Sequence, residues 1–316
     1  MIRRHFLGGL VTASLVGRAA WGQFGQAKPK TFALGEAKTL YYRAGMTVSA
    51  DTGPCQGLVG TLPVPRNWPE QEVRVAHEDV MPGARVDFRE VAPTLKQMVI
   101  HVPYLPAGQE LRGVFTYEIV RRKQLPPESV EGFKLLKQLN AEMRTYLNPS
   151  PGIDSRSAKI VGLVRLLGRS ATPWEQAHAI YNWTRENIKY EAGPFKGVLD
   201  ALRDGTGDVE DLAAVFIALC RAYNIPARTV WVYGSCYPEF HLVDAEDTGH
   251  WIPCLLTGEG SFGSMAEQQP ILLKGDSFRL PENGRGMERF IPEKLTGKGG
   301  KPKVRFIREM VERPMD

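Results

Sequence analysis

The chain has 316 residues, with 40 lysines and arginines, 35 acidic residues and four cysteines, and its formal net charge is +5. That length is enough for two domains. Four cysteines in so long a chain do not make a disulfide scaffold, and the small positive charge gives no electrostatic support for nucleic-acid binding.

Residues 1–22 are typical of an export signal. The pair Arg3-Arg4 precedes an uncharged, mostly apolar run over residues 6–16, and small residues follow at the spacing that a signal peptidase recognises. Paired arginines followed by Phe-Leu favour a twin-arginine signal, with an ordinary secretory signal or an uncleaved anchor as alternatives. Removal of this leader would lower the formal charge from +5 to +2, because it holds three arginines and no acid.

The predicted mature chain is therefore periplasmic or secreted and begins near Gln23. No later segment approaches the about 20 apolar residues that a membrane-spanning helix needs, so we expect no membrane span after removal of the signal.

Residues 31–122 are predicted to form a β-sandwich domain. Short β-branched and aromatic runs lie at residues 40–42, 73–75, 98–102 and 113–119, and turn clusters such as Asp51-Thr52-Gly53-Pro54 separate them. Several strands at that spacing, without a helical period, favour a sandwich. His77 and His101 are isolated there and indicate no catalytic site.

Helices are predicted to follow the Leu125-Pro126-Pro127 break. Thr172-Pro173-Trp174-Glu175 is a capping box with proline at the first helical position. A longer helix is expected at about residues 209–223, capped by Asp208. Strands are expected at 228–232, 236–243 and 250–256, which makes residues 128–290 an α+β domain.

Residues 291–316 form a basic stretch that glycines and a proline interrupt. We interpret it as a solvated C-terminal tail, with an anionic partner as the alternative.

Three stretches of this second domain resemble the core of the transglutaminase-like superfamily, which has the papain-like cysteine protease fold. They are Ile180-Tyr181-Asn182-Trp183, Gly207-Asp208-Val209-Glu210-Asp211 with the helix that follows, and the hairpin from Tyr237-Pro238-Glu239 to Trp251-Ile252-Pro253. The resemblance covers about residues 150–256. It implies a cysteine at the start of the core helix, a histidine on the next strand and an aspartate on the strand after it. Such a triad performs acyl transfer through a thioester.

The three triad positions are all substituted when this sequence is placed on the family pattern. Val209 stands where the nucleophile belongs, Ser235 where the base belongs, and Cys254 where the acid belongs. Valine has no ionisable atom, and serine cannot replace imidazole as a base near neutral pH. The resemblance therefore implies a degenerate member, and we expect these three residues to converge in one inert cleft.

The cysteines leave some alternatives open. We expect position 254 to pair near position 235, so that Cys254 faces the cleft and Cys236 faces away, which makes a Cys236–Cys254 disulfide unfavourable. Cys254 could then be a cleft thiol with its own reactivity. Cys220 is interpreted as a buried structural thiol, and Cys55 lies in a loop of the first domain.

Other polar residues near the hairpin have simple structural interpretations. His241 and His250, with Cys254 or a loop carboxylate, could hold zinc, but the intervening residues are typical of a polar turn. Glu210 and Asp211 lie in the first helical turn, where acids interact favourably with the helix dipole. We therefore expect neither a metal nor another cofactor.

Two functions compete on these observations. The first is a non-catalytic binding or structural role, a pseudoenzyme that holds a peptide or a cell-envelope ligand, with Tyr233, Tyr237 and Trp251 as candidate aromatic walls. The alternative is an active cysteine hydrolase or acyltransferase, of the peptidase or transglutaminase type, that uses a displaced thiol such as Cys254.

Overall fold

The structure is a computed structural model that describes residues 32–280 and 286–313. The export signal predicted at residues 1–22 lies outside these described residues. These described residues belong to one compact unit. No helix within the described ranges is long and apolar enough to cross a membrane.

The N-terminal part is the expected β-sandwich. Its strands are β1 (Leu34–Ala50), β2 (Cys55–Val64), β3 (Gln71–Val80), β4 (Arg85–Ala92), β5 (Leu95–Leu105) and β6 (Glu110–Gln124). Together with two C-terminal strands, β14 (Lys294–Gly299) and β15 (Pro302–Val311), they form two four-stranded sheets, in the orders β15-β1-β6-β3 and β14-β2-β5-β4. Alternate side chains of both sheets, such as those of Tyr42, Met46, Leu62 and Ile100, meet in one buried core.

The C-terminal strands correct the prediction of a solvated tail at residues 291–316. Strand β15 pairs with β1 over ten residues, from Tyr41↔Val311 to Ala50↔Pro302, and β14 pairs with β2. Ile307 is buried, and the carbonyl oxygen of Gly300 lies 3.1 Å from the Cys55 sulfur. The prediction was wrong because the strand partners are more than 200 residues away, so that local composition does not reveal the pairing.

The second part combines helices with a separate antiparallel sheet. Its elements are α1 (Ala141–Thr145), α2 (Ala158–Leu167), α3 (Pro173–Asn187), β7 (Lys189–Tyr190), α4 (Val198–Asp204), β8 (Thr206–Gly207), α5 (Val209–Ala222), β9 (Ala227–Val232), β10 (Ser235–Val243), β11 (Gly249–Leu255), β12 (Ser261–Phe262) and β13 (Ile271–Lys274). The five-stranded sheet has the order β12-β11-β10-β9-β13. The α+β class is therefore confirmed.

This sheet has α5 on one face and the β-sandwich on the other. Ala213 and Phe216 of α5 belong to clusters that contain Cys236 and Phe240 of β10. On the opposite face, Trp68 packs against a cluster of β9, β10 and β13 residues. Gln71 exchanges two hydrogen bonds, of 2.8 and 2.7 Å, with the backbone of Ile271. The central helix is thus held by a sheet that is itself supported from behind.

Candidate functional site

The start of α5 is defined by a reciprocal cap. The Asp208 carboxylate accepts a 2.8 Å hydrogen bond from the Asp211 N–H, and the Asp211 carboxylate accepts one of 3.2 Å from the Asp208 N–H. The predicted cap and helix are confirmed. Val209 is consequently the first residue of the helix, the position at which a thiolate would be stabilised by unpaired backbone N–H groups.

The two acids after Val209 have structural partners. Asp211 is fully buried and also accepts hydrogen bonds from the N–H groups of Lys196 (3.1 Å) and Gly197 (2.9 Å), so it fastens the loop before α4 to α5. Glu210 forms an ion pair with Arg289. These contacts explain both carboxylates without a role in catalysis.

Val209 is half-buried and lies against apolar side chains. It packs on an apolar cluster that contains Ala213, Trp231 and Cys236, and Phe290 packs on the same cluster. The Phe290 ring lies 4.9 Å from that of Trp231. The Arg289 guanidinium lies 3.6 Å from the Phe195 ring centroid and 5.1 Å from that of Trp231. The segment 289–291 therefore covers the beginning of α5.

The β10 residue that faces the start of α5 is Cys236, and not Ser235 as expected. Ser235 pairs with Val232 beside a two-residue turn and is exposed, whereas Cys236 is buried in the cluster with Ala213. Successive side chains of a strand point to opposite faces, so only one of the two can face α5. Burial raises the pKa of the Cys236 thiol well above its usual value, and the carboxylates of Glu210 and Asp208 act in the same direction.

Cys254 lies near the other end of α5, so the expected convergence of three residues is wrong. The β10–β11 register pairs Glu239 with Pro253, which puts position 254 opposite 238 rather than near 235. Cys254 belongs to the core cluster that contains Cys220, and after burial it is a further cause of the raised pKa of the Cys220 thiol. Cys220 is 11 residues after Val209, which corresponds to about 16 Å along a helix.

In the transglutaminase-like pattern that this hairpin resembles, the aspartate closes a Trp-x-Pro-x-Asp element. The spacing of that element also corrects the assignment of Cys254. In a Trp-x-Pro-x-Asp element that begins at Trp251, the acid falls at Leu255 and not at Cys254. Leu255 packs on the opposite face of the sheet, against a cluster that contains Tyr237. The family's acid position thus holds an aliphatic side chain, and the conclusion that it has no carboxylate is unchanged.

All four cysteines are buried and free. The Cys236–Cys254 disulfide that the sequence made unfavourable is not formed. Cys220 is a buried helix residue, as predicted. Burial raises the pKa of both Cys220 and Cys254 well above the usual value, so neither thiol is held as a thiolate near neutral pH.

The two hairpin histidines have separate environments. His250 Nε2 and Asp244 Oδ2 are 2.7 Å apart, and Asp244 Oδ1 accepts from the N–H groups of Glu246 and Thr248, which fixes the polar turn. The His241 ring packs 5.1 Å from that of Trp251, and burial lowers its pKa to about 4. Within residues 32–280 and 286–313, no three His, Cys, Asp or Glu side chains are grouped as metal ligands would be.

The candidate aromatic walls are packing residues. Tyr237 is buried, and its hydroxyl lies 3.3 Å from an Arg121 nitrogen. The Arg228 guanidinium lies 3.8 Å from the Trp251 ring. The Tyr233 ring lies 5.7 Å from that of Tyr42.

Sequence reasoning missed a buried ionic network behind the sheet. The Lys274 ammonium lies 2.7 Å from a Glu70 oxygen and 3.1 Å from a Glu239 oxygen, and Glu239 also pairs with Arg228. The sequence did offer one signal for this network. Glu239 and Lys274 are charged residues within strands whose neighbouring residues are buried.

Comparisons with known proteins agree with the fold. Residues 163–260 match the sequence model of the transglutaminase-like superfamily. An uncharacterized protein of Haemophilus influenzae is 26% identical over 180 residues, which are 51% of this chain and 42% of that protein. The chain therefore spans about two-fifths of the length of that curated relative.

Two crystal structures were compared with the whole chain. A candidate cysteine protease from Cytophaga hutchinsonii superposes with a TM-score of 0.58 at 15% identity, covering 90% of this chain and 94% of that one. A candidate protease from Parabacteroides distasonis gives a TM-score of 0.24 at 11% identity, over 70% and 72% of the two chains, which is too low to show a shared fold. At 15% identity the first likeness establishes the fold alone. The chain thus carries a transglutaminase-like domain with the papain-like fold, preceded by a β-sandwich.

Proposed function

We propose that this chain is an exported, non-catalytic transglutaminase-like protein with a binding or structural role for a peptide or another cell-envelope ligand. The observation that carries the proposal is the start of α5, where Val209 stands at the position of an ionisable nucleophile and packs on the same apolar cluster as Phe290. Export is supported by the leader sequence, with its paired arginines and short apolar run.

The chemistry around Val209 supports the loss of acyl transfer. Such a reaction needs a thiolate, a base within hydrogen-bond reach and an open approach for the substrate carbonyl. Cys236 is the thiol of the facing strand, but its burial in an apolar cluster raises its pKa, and nearby carboxylates act in the same direction, so it stays protonated. His241 lies five residues further along β10, or about 16 Å away at the rise of a strand.

The competing proposal is a cysteine hydrolase or acyltransferase that uses Cys254. That thiol is fully buried within the core cluster, and burial raises its pKa. A nucleophile of this kind would need both exposure and a depressed pKa. The geometry therefore favours the non-catalytic role.

Alkylation of the native protein separates the two proposals. We expect iodoacetamide to leave Cys236 and Cys254 unmodified between pH 6 and pH 7, as read by mass spectrometry of peptides, because both thiols are buried and protonated. The same protein in urea should be modified at all four cysteines, which controls for the reagent. Rapid modification of either thiol in the native protein below pH 7, or a covalent acyl adduct with an activated ester, would establish a cysteine enzyme instead.

The export proposal has its own test. Replacement of Arg3 and Arg4 by lysine should block export through the twin-arginine route, because that route recognises the arginine pair. The measurement is the distribution of precursor and mature protein between cytoplasm and periplasm. Unchanged export of the double variant would contradict a twin-arginine signal and favour the ordinary secretory route.

A further inference from the structure

A polar cavity lies at the end of α5 that is opposite to Val209. Its volume is about 440 Å³, which is within the range of small-molecule sites. It is formed by α1, by the loop before α2, and by the last turn of α5. The polar residues that line it are Arg144, Asn148, Ser155, Arg156, Arg221 and Asn224.

The described residues that line this cavity include three arginines and no acid. Arg221 is neutralised, because its guanidinium contacts both carboxylate oxygens of Asp276 at 2.8 Å. Arg156 donates to the side-chain oxygen of Asn148 at 2.7 Å, and this acceptor is uncharged. The Arg144 side chain is exposed and has no ion pair with a described residue. Two arginines therefore bring uncompensated positive charge to the cavity.

The cavity also contains a hydroxyl without a partner. Ser155 is 3% exposed, and its buried Oγ forms no hydrogen bond within the described part of the chain. Buried polar atoms in folded proteins are normally paired, so an orphaned donor in the lining of a cavity indicates a missing acceptor.

The first turn of α2, close to the cavity in sequence, adds no negative charge. Helix α2 begins at Ala158, directly after Ser155 and Arg156 in the chain, and its first turn has no acidic residue. The partial positive charge of a helix N-terminus is therefore not offset there. Val161, in the second turn, lies in the cavity wall.

We propose that this cavity binds the carboxylate or phosphate group of a small anionic ligand. Arg144 and Arg156 supply the charge, and Ser155 Oγ, which has almost no accessible surface in this conformation, donates a hydrogen bond to the anion after rotation of its side chain. The apolar part of the wall, formed by Leu147, Val161 and Ala222, accommodates the remainder of the ligand. This site is separate from the start of α5 and does not depend on the loss of catalysis.

Calorimetric titration of the purified protein with inorganic phosphate and with succinate, at constant ionic strength, tests the proposal. We expect saturable binding of at least one probe, and the probe that binds more tightly identifies a phosphate or a carboxylate ligand. Arg144→Gln and Arg156→Gln should each weaken binding about tenfold or more, because each removes a charge-assisted hydrogen bond. Arg165→Gln, at the far end of the same α2 helix, is the matched control and should bind as the parent does.

Ser155→Ala distinguishes a ligand donor from a structural hydroxyl. If Ser155 Oγ serves the ligand, the variant should bind the probe more weakly while its Tm without the probe is not reduced. A lowered Tm with unchanged affinity would show that the hydroxyl has a structural partner, and would overturn its assigned role. Absence of saturable binding by both probes, or equal affinity of Arg144→Gln, Arg156→Gln and the parent, would overturn the site.

Discussion

Two opposing effects would act on the pKa of a cysteine placed at position 209. Backbone N–H groups at a helix start stabilise a thiolate, whereas the carboxylates of Asp208, Glu210 and Asp211 would oppose it. Burial raises the pKa of Asp208, and its neighbouring carboxylates contribute in the same direction, which indicates a locally anionic environment. The facing residue Cys236 offers no base. A nucleophile alone would therefore not restore the reaction that the fold supports elsewhere.

We accordingly expect Val209→Cys to give no turnover of a thioester or of a glutamine-containing peptide. The measurement is release of thiol or ammonia by the purified variant, with circular dichroism to confirm that it is folded. Val209→Ala, which has a similar volume change and no thiol, is the matched control. Turnover by Val209→Cys above that of Val209→Ala would show that another residue supplies the base.

His241 makes the stability of the protein depend on pH. Burial lowers its pKa from 6.5 to about 4, with Arg228 and His250 acting in the same direction and Glu239 opposing them. Below pH 6.5 the unfolded chain binds a proton that the folded chain does not, so stability falls as the pH decreases towards 4. The shift corresponds to about 3 kcal/mol.

Urea unfolding between pH 4 and pH 7.5 measures this contribution. We expect His241→Phe, which cannot titrate, to lose about 3 kcal/mol less stability than the parent over that range. His77→Phe, at an exposed position of β3, should follow the parent. If His241→Phe lost as much stability as the parent, His241 would not be the group responsible.

The position of Val209 could be predicted from the sequence, but the residues opposite it could not. Val209 follows a capping box that is readable locally, so its position at the start of α5 was predicted correctly. The choice between Ser235 and Cys236 depends on strand parity relative to a hairpin turn. The position of Cys254 depends on the β10–β11 register, and a register is set by pairing across the sheet.

Helices were more predictable than strand partners at the level of elements. The capping box at Thr172 and the proline at the next position correctly predicted the start of α3, and α5 was predicted within one residue of its observed end. Both depend on contacts between residues three or four apart. Strands β14 and β15 were missed because their partners β1 and β2 lie at the other end of the chain.

The N-cap and the first turn of α5 contain three acids whose contributions to stability should differ. Asp211→Ala would leave one buried and two partly buried N–H groups without this acceptor, and we expect a loss of about 3 kcal/mol. Asp208→Ala removes an N-cap and should cost about 1 kcal/mol. Glu210→Ala removes a partly exposed ion pair and should cost less than about 1 kcal/mol.

Urea unfolding at pH 7 orders these three variants. The expected order of destabilisation is Asp211, then Asp208, then Glu210. Asp211→Asn retains one acceptor oxygen and should recover part of the loss, which separates hydrogen bonding from packing. An equal effect of Asp211→Ala and Glu210→Ala would contradict the fastening role of Asp211.

The two parts of the molecule are connected through a buried polar layer. Lys274 of β13 contacts Glu239 of β10 and Glu70 in the turn before β3, and all three are almost fully buried. Burial acts to raise the pKa of Glu70, but the adjacent Lys274 charge and hydrogen bond hold it below its usual value. One buried lysine therefore neutralises a carboxylate of the β-sandwich and a carboxylate of the transglutaminase-like sheet, so loss of Lys274 would destabilise both parts.

Lys274→Met tests that coupling. Removal of one partner of a buried ion pair leaves an uncompensated charge, and we expect a loss of about 3 kcal/mol or more at pH 7. Because the pKa of Glu70 would then rise, the carboxylate could be protonated more easily, and the penalty should shrink as the pH falls below about 5.

The double variant Lys274→Met/Glu70→Gln removes both charges and should recover much of the stability, as measured by urea unfolding in a double-mutant cycle. Lys123→Met, which breaks an exposed pair with Glu36, is the control and should change stability little, because solvent screens exposed ion pairs. Additive effects of the Lys274 and Glu70 substitutions would mean that the two charges do not stabilise each other, and that the sandwich is held against the sheet without this ion pair.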